Sequence, residues 1–221
     1  MEYSRIMKHA IIIGATGLVG STLTQQLLQD DYFLKVTLLV RKPLSITNPK
    51  LEQVIFDFEH PDTSKVKGDV LFCAMGTTLK KAGSKKAQYL IDCEYPYQVG
   101  QIAHSNGIEN YILVSSIGAD ANSSSYYLRT KGELEQKLSA LEFAKLVCVR
   151  PSLILGNRGE FRFGEKLGVV LDSILSPLMI GPLKKYRGVH VDKIVRMLIK
   201  ASKESFPERT TFIESDAIYA L

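Results

Sequence analysis

Few folds accept what stands near the start of this sequence: an apolar run, Ala10-Ile11-Ile12-Ile13, that passes directly into Gly14-Ala15-Thr16-Gly17-Leu18-Val19-Gly20 and then into an amphipathic stretch. Strand, glycine turn and helix in that order make a cradle for a pyrophosphate. Gly14 permits the tight turn, Gly17 lets the backbone approach an anion without a Cβ in the way, and Gly20 allows the helix to pack closely on the strand. The amides from Thr16 to Val19, with Leu18 between them, are the unpaired N–H groups of a helix start, where the positive end of the helix dipole favours negative charge. The bland alternative is a glycine turn that only packs. The spacing is G-x-x-G-x-x-G, not G-x-G-x-x-G.

Beyond that turn, short β-branched runs alternate with longer amphipathic ones, the pattern of βαβ units around a parallel sheet. Strands are predicted at 9–13, 35–40, 53–56, 70–74, 111–115, 146–150 and 211–213, several apolar throughout, as a strand buried on both faces requires. Helices are predicted at 18–29, with Val19, Leu23 and Leu27 on one stripe, and at 87–106, 126–141 and 192–202. The expected fold is α/β, a Rossmann-type doubly wound parallel sheet. A chain of 221 residues with 45% hydrophobic and 23% charged residues suits one domain. Residues 1–221 are therefore read as a single unit, 151–221 supplying a small C-terminal substrate or lid region. Its apolar stretch at 168–181 is interrupted by Asp172 and Pro177 and is too short for a membrane span. It reads as a lid or as an interface, the latter allowing a homo-oligomer.

The end of the second strand bears on the choice of coenzyme. An NAD site wants an Asp or Glu there for the ribose 2′-hydroxyl, whereas a 2′-phosphate wants a cation. Here stand Arg41 and Lys42, a planar fork and a point charge, so NADP(H) is expected over NAD(H). Two solvated charges at a strand end are the alternative. Two further loops finish the expected pocket at the carboxyl edge of the sheet. Asp57 after the third strand offers an acceptor for the adenine amino group, and Gly76-Thr77 after the fourth offers a small turn to lie over a ribose. Each alone is ordinary turn chemistry.

Tyr127-Leu128-Arg129-Thr130-Lys131 opens a predicted helix, which places phenol and ammonium one turn apart on one face. A free tyrosine, with a pKa near 10, is a poor acid–base catalyst at neutral pH, and a neighbouring cation favours its phenolate. Tyr127 is the candidate proton carrier and Lys131 the candidate partner, also able to hold ribose hydroxyls. Ser115 and Ser116 end the preceding strand. Ser116 is the favoured third catalytic group, polarising a substrate carbonyl, with hydrogen bonding to backbone or cofactor as the alternative for both serines.

The remaining composition excludes other chemistries. Cys73, Cys93 and Cys148 are far apart in apolar runs, which suits a thiol-reducing compartment, and His9, His60, His104 and His190 show no metal-ligand spacing. No metal site is expected. The early apolar run is too short for a signal peptide, so a cytoplasmic protein is expected. The net charge of +5 and pI near 9.0 come from small clusters, with no long basic tract, so an anionic small molecule is expected in place of nucleic acid.

Taken in sequence, Gly14 to Gly20, Leu39-Val40-Arg41-Lys42-Pro43, Gly76-Thr77-Thr78-Leu79-Lys80-Lys81-Ala82-Gly83-Ser84, Val114-Ser115-Ser116-Ile117-Gly118-Ala119-Asp120, Tyr127 to Glu135 and Arg150-Pro151-Ser152-Leu153 resemble the Tat-interacting-protein-like group of atypical short-chain dehydrogenases. The resemblance spans nearly the whole chain. It implies a Rossmann fold, bound NADPH, the Tyr127/Lys131 pair and a contact from Arg150 on the cofactor side. Extended relatives run three hydroxyl residues where this chain has Ile117 as the third. The implied activity is an NADPH-dependent carbonyl reductase or dehydrogenase of a small carbonyl or alcohol substrate. The alternatives are a catalytically silent NADP(H)-sensing regulator and a nucleotide-sugar epimerase, for which the short tail leaves little room. The basic run Lys80, Lys81, Lys85 and Lys86 either attracts an acidic ligand or is a solvated loop.

Overall fold

The computed structural model describes residues 7–156 and 186–221. The expected lid or interface at 168–181 lies outside these residues. Seven strands form one parallel sheet: β1 (Lys8–Ile13), β2 (Phe33–Val40), β3 (Leu51–Ile55), β4 (Val70–Cys73), β5 (Asn110–Val114), β6 (Lys145–Arg150) and, after the two-residue pair β7 (Ile154–Leu155) and β8 (Val189–His190), β9 (Thr210–Glu214). Their spatial order is β3-β2-β1-β4-β5-β6-β9. This is the Rossmann order with one strand added, so the fold class read from the sequence holds. All seven predicted strands occur, with ends shifted by one or two residues, whereas the short β7–β8 pair has no periodic signal to announce it.

The helices are α1 (Leu18–Gln29), α2 (Leu79–Ala82), α3 (Lys85–Tyr89), α4 (Tyr95–Ser105), α5 (Tyr126–Ser139), α6 (Val191–Lys203) and α7 (Ser215–Tyr219). Alternate residues of β1 serve opposite faces of the sheet. Ala10 and Ile12 join Val19, Leu23 and Leu27 of α1, Ile194 and Leu198 of α6 and Ile218 of α7. Ile11 and Ile13 join Val99 and Ala103 of α4 with Leu134 and Leu138 of α5. Burying a strand on both faces explains why Ala10 to Ile13 of β1 and all of β4 are apolar without alternation. Each such Leu or Ile contributes about 1.5–3 kcal/mol.

The helix expected over 87–106 is interrupted. Between α3 and α4 lies a π-turn, Leu90–Glu94, in which the Tyr95 amide donates to the Leu90 carbonyl, five residues back. Pro96 supplies the physical reason. It has no N–H for the carbonyl of Asp92, four residues earlier, and its ring would crowd that oxygen in a regular helix. A widened turn accommodates both defects and rotates Asp92 into the interior, where it is 0% exposed.

Candidate functional site

Because the strands are parallel, every candidate residue that follows a strand stands at one edge of the sheet. The chain passes from β1 outward to β2 and β3, then crosses back to β4, so the loops after β1 and β4 part company at the switch point where ligands of open α/β sheets bind. There the Ala74 amide donates to the Ile13 carbonyl at 2.9 Å.

Gly14 and Gly20 are required by contact. Gly14 has φ +86°, and a Cβ on it would lie 2.4 Å from the carbonyl carbon of Ala74. A Cβ on Gly20 would lie 2.2 Å from the Gly14 oxygen. Gly17 differs: its φ of −80° suits any residue, and a Cβ would meet nothing closer than the Gly14 oxygen at 3.4 Å. Gly17 is the N-cap of α1 and supplies no side-chain cap, so the first amides of the helix, at Leu18 and Val19, have no intrahelical partner. Thr16 and Gly17 are exposed beside them. An open backbone mouth with unpaired amides at a helix start fits a pyrophosphate.

Tyr127 and Lys131 are on α5, one turn apart, in opposite environments. The phenol is 40% exposed and the lysine 3% exposed. Burial pulls Lys131 down, yet the Coulombic attraction of Tyr127 and of Asp92, with lesser help from Cys73 and Glu135, holds its ammonium above the ordinary lysine range. The ammonium reaches the turn after β4: a methyl built on Gly76 would lie 3.8 Å from Lys131 Nζ and 3.9 Å from Asp92 Oδ1. The start of α5 is tied to α3 by the Tyr126 hydroxyl, which donates to the Lys85 carbonyl at 2.5 Å. Ser115 is 4% exposed; its amide donates to the Val149 carbonyl at 2.7 Å, while its hydroxyl is buried without a hydrogen-bond partner among the described residues. Ser116 is half-buried, with its hydroxyl 3.4 Å from the Ile117 carbonyl. An orphaned buried hydroxyl at this edge is a second observation that fits a ligand.

The other candidates lie apart from this cluster. Arg41 and Lys42 are exposed just past β2, and no carboxylate bridges to them among the described residues. Asp57 is exposed too; its Oδ1 accepts from the Glu59 amide at 2.8 Å and its Oδ2 is 3.4 Å from His60, so it caps its own loop. Arg150 is committed elsewhere. Its Nε and Nη2 donate to Glu135 at 3.0 and 2.6 Å, its Nη1 donates to Glu214 at 2.9 Å, and the guanidinium stacks on Phe212 at 4.3 Å. Two carboxylates take three of its five N–H groups, which leaves one N–H on Nη1 and one on Nη2 for the cofactor contact implied by resemblance.

Sequence reading missed Asp92. Its Oδ1 accepts from the Thr77 amide at 2.7 Å. An acid among Leu90, Ile91 and Cys93, four residues before a proline, was the available signal.

The three cysteines are buried and unpaired. Among the described residues no group of His, Cys, Asp and Glu is arranged to hold a metal, and no helix is long and apolar enough to cross a membrane.

Fold and site together define a Rossmann-type dinucleotide-binding protein. A family model described as NAD(P)H-binding matches residues 14–166. The protein HTATIP2 of Rattus norvegicus is 37% identical over 166 residues, 72% of this chain and 68% of that protein. The mitochondrial protein FMP52 of Eremothecium gossypii is 29% identical over 217 residues, 96% of each chain. Among solved structures, MoeE5 in complex with UDP-glucose and NAD superposes with a TM-score of 0.68 at 15% identity, covering 96% of this chain and 80% of that one. The chain belongs to the NAD(P)H-binding family, in the atypical short-chain dehydrogenase group of HTATIP2 and FMP52. One expectation is corrected: several FMP52 relatives are named as mitochondrial, which overturns the cytoplasmic reading. An apolar leader marks export, whereas mitochondrial targeting segments are amphipathic and Arg-rich, so a test for the former does not select a compartment.

Proposed function

We propose that the chain is an NADPH-dependent oxidoreductase acting on a small carbonyl or alcohol, with Tyr127 as the acid–base group. The observation that carries this reading is the pairing on α5 of an exposed Tyr127 with a buried, charged Lys131 whose ammonium reaches the turn after β4. When bound, the nicotinamide supplies the hydride. Gly14, Thr16, Gly17, Leu18, Val19 and Gly20 hold the pyrophosphate through backbone amides, and Gly76 and Thr77 pass under the ribose. Arg41 and Lys42 meet the 2′-phosphate, which gives NADP(H) its preference over NAD(H). Lys131 holds the ribose hydroxyls and keeps a positive charge beside the phenol. Tyr127 gives its proton to the substrate oxygen in reduction and takes it back in oxidation. Ser115, by its free hydroxyl, is better placed than Ser116 to accept or donate toward cofactor or substrate. Of the C-terminal region read from the sequence as a substrate or lid segment, residues 186–221 contribute β9 to the main sheet and α6 and α7 to the core on the α1 face. The FMP52 likeness makes the mitochondrion the compartment in which to look for the activity.

The test is Tyr127→Phe. It is expected to abolish carbonyl-dependent NADPH oxidation while NADPH still binds with unchanged affinity; unchanged turnover removes Tyr127 from its role. A second reading, a sensor that binds NADP(H) without chemistry, is favoured by one observation, the apolar Ile117 where extended relatives carry a third hydroxyl. Tight NADPH binding with no turnover on a broad panel of carbonyls supports that reading. Epimerase chemistry gains nothing from the UDP-sugar complexes among the structural neighbours, since identities of 15–18% speak only for the fold.

A further inference from the structure

Asp92 is a buried carboxylate that the chemistry above leaves unused. It sits in the π-turn Leu90–Glu94, fully removed from solvent. Its Oδ1 accepts from the Thr77 amide at 2.7 Å, and Gln88 Nε2, one helix earlier, stands 3.5 Å from the Thr77 carbonyl. α3 and the π-turn that follows it thus hold both sides of Thr77. Lys131 Nζ arrives at the same point from α5, since the Gly76 position places ammonium and Asp92 Oδ1 within 3.8 and 3.9 Å of one site.

We infer that Asp92 is a positioning residue that couples the turn at 76–77 to Lys131: one carboxylate fixes the Thr77 amide and serves as the counter-ion that keeps the neighbouring ammonium charged in a site closed to water. A buried ammonium without a counter-ion is costly, and the usual response is loss of its proton. The groups that face Lys131 are Tyr127 and Glu135 from α5, Cys73 from β4 and Asp92 from the π-turn. Glu135 is already held by Arg150, and burial pushes the Cys73 thiol up, so it stays neutral. Asp92 is left as the fixed negative charge. The π-turn before Pro96 earns its place in the fold here, because π-turns aim side chains that a regular helix would direct elsewhere.

The pairing itself does not depend on the proposed function; only its consequence for coenzyme binding does. Asp92→Asn keeps an oxygen for the Thr77 amide and removes the charge. The proposal expects NADPH affinity, read by coenzyme fluorescence, to match the wild type near pH 6 and to fall about tenfold relative to it by about pH 9, as Lys131 loses its proton. A ratio to wild type that is independent of pH overturns it. A thermal-melting cycle gives a second readout without any ligand. Asp92→Asn and Lys131→Met should each lower Tm, and the double variant should be less destabilised than the sum by at least about 3 °C, because each single change strands a buried charge that the second removes. Additive shifts contradict the pairing. Should Asp92→Asn alone fail to fold, the double variant is expected to fold, and its failure as well refutes the proposal. If the wild type binds no NADPH, the functional reading fails while the melting cycle still decides whether Asp92 and Lys131 are paired.

Discussion

Gly17→Ala separates the fold from the cofactor cradle. At Gly17 the backbone is extended (φ −80°, ψ 168°) and the new methyl would sit 3.4 Å from the Gly14 oxygen and 4.0 Å from the Ala74 oxygen, ordinary or slightly tight contacts. Losing glycine at an N-cap costs a few tenths to about 1 kcal/mol, and restricting the unfolded chain returns about 0.4–1 kcal/mol, so the net change is near zero. Tm should stay within about 4 °C. Gly20→Ala is the control: its methyl would lie 2.2 Å from the Gly14 oxygen, an overlap that costs about 1–3 kcal/mol or more. It should lower Tm by roughly 5–10 °C or prevent folding. Binding should divide the variants the other way round. The Gly17 methyl projects into the exposed mouth and holds a pyrophosphate off the Leu18 and Val19 amides. Each charge-assisted hydrogen bond lost is worth about 1.5–3 kcal/mol, so Kd for NADPH should rise by about 10- to 100-fold. Melting curves and coenzyme titrations of the two variants check this. Wild-type NADPH affinity in Gly17→Ala, or a loss of stability equal to that of Gly20→Ala, refutes the assignment of Gly17 to ligand access.

Two further outcomes are expected. Arg150→Met leaves Glu135 buried without a partner and should cost about 3 kcal/mol, a fall in Tm of about 6–12 °C, with NADPH affinity unchanged; a large loss of affinity at unchanged Tm would return Arg150 to the cofactor. His9 is held below its ordinary value of 6.5 by burial and by Lys35, against Glu52 and Asp69, with Nε2 2.8 Å from the Thr37 hydroxyl. The unfolded chain therefore binds the proton more readily between the two values, and stability should fall as pH drops below 6.5. His9→Gln should flatten that part of the Tm-against-pH curve, and an unaltered slope contradicts the attribution.

What could be read in the sequence was what local chemistry determines. Ala10 to Ile13 announces a doubly buried strand, and Gly14, Gly17 and Gly20 announce a turn whose three positions the structure then distinguishes by contact. The helix carrying Tyr127 and Lys131 followed from periodicity, but the burial of Lys131 did not, since that depends on a turn some fifty residues earlier in the chain. Asp92 escaped notice because a regular 3.6-residue period carries no sign of the π-turn that aims it, although Pro96 four residues later marks the defect. Arg150 was placed by resemblance alone. Its ion pairs with Glu135 and Glu214 join α5, β6 and β9, a meeting that no short window of sequence contains.

The claim on which the rest depends is that this sheet edge holds NADPH through the glycine turn and the cations after β2. Calorimetric titration of the purified chain with NADPH and NADH, repeated on Arg41→Ala/Lys42→Ala, tests it most directly. NADPH should bind at least about tenfold more tightly than NADH, and the double variant should lose that margin while keeping its NADH affinity. No measurable affinity for either coenzyme would contradict the account.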